Sequence, residues 1–154
     1  MNVAPGREGW HRMQADGAAR GNPGPAAYGF VLDSPSGVEL AGDGEVIGEA
    51  TNNVAEYKGL IAGLERALSL GVTRLEVRMD SELVVRQMAG RYRVKHPGLV
   101  PLFRKARALV ERLEGWDIQH VPREQNKRAD RLANRALDEA TGLRAGRNDM
   151  ESAR

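Results

Sequence analysis

The chain predicts a single α/β domain built on a mixed five-stranded sheet, and three observations lead there. Short apolar runs at residues 10–17, 28–33 and 38–48 are parted by tight turn signals, as in an antiparallel meander. Residues 53–70 then change to helical spacing. From there to about residue 140, strand-like and helix-like segments alternate, as expected for helices laid against a sheet. A chain of 154 residues can form a core without covalent staples; burial of roughly 68–70% of the unfolded surface is typical at that size.

Each element has its own justification. The first strand, residues 10–17, ends before GlyAsnProGlyPro at 21–25, where two prolines and two glycines force a turn. TyrGlyPheValLeuAsp at 28–33 makes the second strand, SerProSerGly at 34–37 turns the chain, and residues 38–48 make a third strand interrupted by Gly42 and Gly44. In the helix over 53–70, Val54, Tyr57, Ile61, Leu64 and Leu68 step by three and four, which gives one buried face, and Gly71 stops it. LeuGluValArgMet at 75–79 alternates as a fourth strand, and Ser81 can cap a short helix over 82–89. A helix over 99–114, a fifth strand over 116–121 and a last helix over about 126–140 complete the series. Two hairpins leave the third strand parallel to the first. A right-handed crossover through the first helix then lets the fourth strand pair beside the first.

Composition narrows the function classes. With no cysteine the chain has no disulfide framework, catalytic thiol or thiolate zinc site. Its three histidines, at 11, 96 and 120, are too scattered for an imidazole metal centre. No stretch approaches the ~20 apolar residues of a membrane span, and MetAsnValAlaProGlyArgGluGly at the start holds no apolar leader. The expectation is a cytoplasmic domain over residues 10–141, with flexible tails at 1–9 and 142–154. The net charge of +2 says little, but Arg91, Arg93, Lys95, His96, Arg104, Lys105 and Arg107 concentrate positive charge in one region. Such a run is a solvated surface or a source of phosphate contacts.

Four acids stand out by their settings. Singly, each has an ordinary role: Asp16 before Gly17 is a turn residue, and Glu56 completes a capping box with Asn53 as N-cap. Asp80 shares a cap with Ser81, and Asp130 faces the positive end of a helix. Helical geometry argues for more. Glu56 falls about 40° from Leu60 and about 20° from Ala67, and Asp130 about 20° from Leu137, so both border buried faces. If the first and fourth strands pair, Asp16 and Asp80 lie on neighbouring strands about 4.8 Å apart. Two such charges 4 Å apart repel by about 4 kcal/mol at an effective dielectric of 20, so a gathered set needs cations. Carboxylates without imidazole or thiolate partners favour Mg²⁺ or Mn²⁺, and two such ions can drive in-line phosphoryl displacement.

Four blocks carry these acids in order: AspGlyAlaAlaArgGlyAsnProGlyPro, ThrAsnAsnValAlaGluTyr, MetAspSerGluLeuVal and ArgGluGlnAsnLysArgAlaAspArgLeuAlaAsn. Together, from about Met13 to Leu137, they closely resemble type 1 ribonuclease H. The resemblance implies a ribonuclease H-like α/β fold with strand order 3-2-1-4-5. It implies hydrolysis of the RNA strand of RNA–DNA hybrids to 5′-phosphate and 3′-hydroxyl ends. It makes Asp16, Glu56, Asp80 and Asp130 the ligands of two Mg²⁺ ions, with Mn²⁺ as a substitute. Asp16 would bridge both ions, Asp130 would complete one side, and Glu56 with Asp80 the other.

The resemblance also assigns substrate contacts. Asn22, Asn52 and Asn53 would reach the minor groove, the backbone at Gly17 would approach ribose hydroxyls, and Thr51 would meet a DNA phosphate. Only the 2′-hydroxyl marks the RNA chemically, and short amides can donate to it and accept from it. An auxiliary residue near the leaving group is Arg123 or His120; Arg123 is favoured because His120 falls within the predicted strand. Residues 90–98 are too few for the basic protrusion of many relatives, so the chain resembles the short subgroup without one, and Glu49 replaces an arginine that often supports Thr51. A monomer with no obligate protein partner is expected. The alternatives are a hybrid-binding module that does not cut, or a DNA-cutting integrase-like or resolvase-like nuclease.

Overall fold

The computed structural model describes the backbone of residues 7–152 and the side chains of residues 7–142. Five strands form one sheet: β1 (His11–Ala19), β2 (Gly24–Asp33), β3 (Glu39–Ala50), β4 (Arg74–Met79) and β5 (Gly115–His120). Helices α1 (Asn52–Ser69), α2 (Glu82–Met88), α3 (Val100–Val110) and α4 (Lys127–Ser152) flank it. The order is β3-β2-β1-β4-β5, with β1–β2 and β2–β3 antiparallel and β1–β4 and β4–β5 parallel. The expected meander, crossover and strand order are all present.

Alternation on β1 and β4 separates two surfaces. Met13, Ala15, Leu75, Val77 and Met79 are buried in a core shared with Leu60, Leu64 and Ala67 of α1 and Leu109 and Val110 of α3. The opposite face of β2 and β3 receives α4 through glycine. A Cβ on Gly29 would collide with Ala129 O and one on Gly44 with Leu132 O, so the α4 backbone lies directly on the sheet there.

Boundaries differ where tertiary contacts decide them. α3 is shorter than the expected 99–114 helix because residues 111–114 turn back, and Glu114 N–H donates to Thr73 O at 2.8 Å. The last helix continues past the expected end at about 140 to Ser152. Of the expected loose ends, residues 1–6 and 153–154 lie outside the described residues. Between α2 and α3 the chain forms turns only, with Arg86 over the Tyr92 ring at 5.2 Å, so the segment at 90–98 builds no helical protrusion.

Candidate active site

The four acids come from four elements and line one cleft of about 330 Å³, together with Gly17, Arg20, Asn52, Arg123 and Asn134. Asp16 is buried on β1, directly across from Gly29 on β2. Because Gly29 has no side chain, α4 settles against that point and brings Asp130 to the same side. On the other face Gly17 admits α1: a Cβ there would strike the backbone of Ala55 and Glu56. That contact fixes Glu56 in the first turns of α1 beside the end of β1. Asp80 follows β4 directly, where the parallel β1–β4 register places it next to the other acids.

Hydrogen bonds from neutral side chains engage three of the four carboxylates. Asn126, fully buried, donates from Nδ2 to Ala15 O at 3.0 Å and to Asp80 Oδ1 at 2.9 Å. Its backbone carbonyl accepts from Asp130 N–H at 3.1 Å, so one residue ties β1, the end of β4 and α4 together. Asn134, one turn beyond Asp130, donates to the Asp130 carboxylate at 3.1 Å. The Ser81 hydroxyl bonds Glu56, while its oxygen accepts from Val84 N–H at 3.3 Å and caps α2. Sequence reasoning gave Ser81 its cap and overlooked Asn126 and Asn134. Their signal was present: Asn126 stands at the head of the expected last helix and Asn134 lies four residues after an acid.

Crowding alters proton affinity. Burial, the Asp80 charge, the hydrogen bond and charge of Asp130, and Glu56 push the Asp16 carboxyl up to about 9. Burial lifts Glu56 to about 7, opposed by the Ser81 hydrogen bond and helped by Asp80. The donor set is all carboxylate, which suits a hard divalent cation. Yet among the described residues no three His, Cys, Asp or Glu side chains are disposed to hold a metal ion. As they stand, Ser81, Asn126 and Asn134 engage Glu56, Asp80 and Asp130 separately.

The remaining expected residues divide. Asn22, joined to Pro23 by a cis peptide, accepts at Oδ1 from Asn52 N–H at 3.1 Å. Asn52 accepts at Oδ1 from Ala19 N–H at 2.8 Å and lines the cleft. Both amide oxygens are therefore used internally, and the amino groups remain as donors. The N-cap of α1 is Thr51, not Asn53: Thr51 Oγ1 accepts from Val54 N–H at 3.3 Å because the helix begins one residue earlier than expected. Asn53, at the second helical position, does not line the cleft. Arg123 does, with Nη2 3.9 Å from Asp130 Oδ1. His120 ends β5 exposed and lines a separate hollow with Glu82, Arg86 and Gln119. Glu49 lies on β3 across from Pro25, in a groove with Val46 and Leu137.

Comparison with known proteins agrees with this fold. Residues 14–136 match the family model described as reverse transcriptase-like. The bifunctional protein Rv2228c of Mycobacterium tuberculosis is 53% identical over 129 residues, which are 83% of this chain and 35% of that protein. The chain thus spans about a third of the length of its mycobacterial relatives. Ribonuclease HI of Halobacterium salinarum is 49% identical over 138 residues, covering 90% of this chain and 69% of that protein. The crystal structure of the Halobacterium RNase H1 superposes with a TM-score of 0.82, covering 85% of this chain and 99% of that one. LC11-RNase H1, solved in complex with RNA/DNA hybrid, is 46% identical with a TM-score of 0.81, over 85% of this chain and 99% of that one. With about half of its aligned residues identical to those of such relatives and a fold that superposes on theirs, the chain belongs to the type 1 ribonuclease H family, in the short form without a basic protrusion.

Proposed function

We propose that this domain is an endoribonuclease that hydrolyses the RNA strand of RNA–DNA hybrids, leaving 5′-phosphate and 3′-hydroxyl ends. The observation that carries the reading is the gathering of Asp16, Glu56, Asp80 and Asp130, from four elements, onto one cleft. Likeness to a relative solved with RNA/DNA hybrid supports the choice of substrate. We place it in the cytoplasm, acting as a monomer; among the described residues no helix is long and apolar enough to cross a membrane.

The four acids would hold two Mg²⁺ ions, with Mn²⁺ able to substitute. When bound, such ions supply Lewis-acid activation of water and neutralise charge at the leaving oxygen. To hold them, Glu56 would turn from Ser81 and Asp80 from Asn126, side-chain rotations that leave the backbone in place. Asn22 and Asn52 keep their amino groups for acceptors on the substrate, including the ribose 2′-oxygen that marks RNA. Gly17 would present its backbone to ribose, and Asn53 would add a groove contact. The Thr51 hydroxyl, whose oxygen accepts from Val54 N–H, still has a proton to donate to a DNA phosphate. Arg123 takes the auxiliary role in preference to His120, because it lines the cleft beside Asp130. A guanidinium does not release its proton at neutral pH, so Arg123 would act by stabilising negative charge.

The test is a substrate panel: end-labelled hybrid, duplex DNA and duplex RNA, each with Mg²⁺ or EDTA. Cleavage of the hybrid's RNA strand alone, abolished by EDTA, is expected. Equal cleavage of duplex DNA would replace this reading with a DNA nuclease, and tight binding without turnover would replace it with a binding module.

A further inference from the structure

Arg20 stands on the rim of the same cleft, one residue beyond β1, and Arg20 and Arg123 are the two cationic side chains that line it. Its position is fixed at the backbone, where Arg20 N–H donates to Pro25 O at 2.8 Å and closes the turn that carries Asn22. The guanidinium is 42% exposed and paired with Asp138 of α4, itself 68% exposed. The same Nη2 lies 3.5 Å from Asn134 O. Asn134 and Asp138 follow Asp130 by one and two helical turns, roughly 6–12 Å along α4. Arg20 therefore stands further along the cleft than Asp130 and faces the same opening.

We propose that Arg20 grips a backbone phosphate of the substrate a few nucleotides from the one cut, and that Asp138 holds the guanidinium in place until substrate arrives. An exposed ion pair is weak because water screens it, so exchanging the carboxylate for a phosphate costs little. The planar guanidinium fork matches phosphate oxygens in two parallel hydrogen bonds. Nucleic-acid phosphates recur about every 3.4 Å of axis per strand, so a cleft that seats one at the acids carries others past Arg20. Asp138 would also repel an unbound phosphate until Arg20 shifts from one anion to the other. The role belongs to binding and leaves the chemical step alone. It rests on the hybrid-cleaving function proposed above.

Steady-state cleavage of a short RNA–DNA hybrid duplex, measured across a KCl series in Mg²⁺, tests it with four proteins: wild type, Arg20→Ala, Asp138→Asn and the double variant. Arg20→Ala should raise KM about 5–10-fold at low salt with kcat within about twofold, and should flatten the dependence of log KM on log[KCl] by about 0.7–0.9. Arg20→Lys should keep the wild-type salt slope while recovering part of the KM, which a merely structural role would not predict. Asp138→Asn should lower KM, and that gain should vanish in the double variant. Unchanged KM and salt slope in Arg20→Ala would overturn the inference, as would an Asp138→Asn gain of equal size with and without Arg20. Wild-type turnover in the same assay separates the readings. Cutting that ignores Arg20→Ala overturns this inference alone, whereas a chain that cuts no hybrid overturns both.

Discussion

A carboxylate on β1 with 5% of its surface exposed, facing Asp80, Asp130 and Glu56, holds its proton far more tightly folded than unfolded. For Asp16 the shift runs from 3.8 to about 9, and for Glu56 from 4.5 to about 7. The folded state therefore binds more protons than the unfolded state between those limits, so metal-free stability falls as pH rises through that window. Below about pH 4 the contribution of Asp16 is complete, and above about pH 9 it is gone. Asp16→Asn removes the titrating group, so in EDTA its melting temperature should exceed wild type at pH 8 and converge with it at pH 5. About 2–4 °C is expected for each kcal/mol relieved in a domain of this size. Equal melting curves at pH 8 would mean that the acids do not crowd one another. At this scale the acids were legible because each occupies a characteristic block. Asn126 was not, since the sequence marks it only as the start of a helix, and only the folded chain shows its amide bridging Ala15 and Asp80.

Element packing depends on where side chains are missing. Gly17 and Gly29 sit on opposite faces of β1 and β2, one admitting the start of α1 and the other admitting α4. Gly17→Ala would drive a methyl group into the Ala55–Glu56 backbone, which cannot yield as a flexible side chain can. Overpacking of this kind costs about 1–3 kcal/mol. Chemical denaturation should show that loss, together with slower hybrid cleavage as Glu56 is displaced; full stability in Gly17→Ala would contradict the close β1–α1 approach. The strands were readable from two-residue alternation and α1 from its three-and-four spacing. The start of α1 was misplaced because Thr51, Asn52 and Asn53 are all good caps, and the choice follows from which hydroxyl or amide meets Val54 N–H. α3 ends early for a similar reason, as the Glu114–Thr73 hydrogen bond claims the chain for β5.

For the molecule as a whole, 23 basic and 21 acidic residues nearly cancel, while the cleft concentrates four acids. A ligand that binds only the folded state adds RT ln(1 + [L]/Kd), about 2.7 kcal/mol at a hundredfold excess over Kd. Saturating Mg²⁺ should therefore raise the wild-type melting temperature by about 5–10 °C at pH 8, and should do far less for Asp16→Asn. An unchanged wild-type melting temperature would count against a shared cation site. The absent protrusion was legible in the short segment at 90–98, but chain composition alone left open which cations face the cleft. The structure answers with Arg20 and Arg123.

The most direct test of the shared carboxylate site is the single-turnover rate of hybrid cleavage in Mg²⁺ for wild type and Asp16→Asn, with the variant's folding checked by circular dichroism. A fall of at least about 100-fold in a folded variant is expected, since a group acting in the chemical step is worth roughly two or more powers of ten. A rate within about threefold of wild type would contradict it.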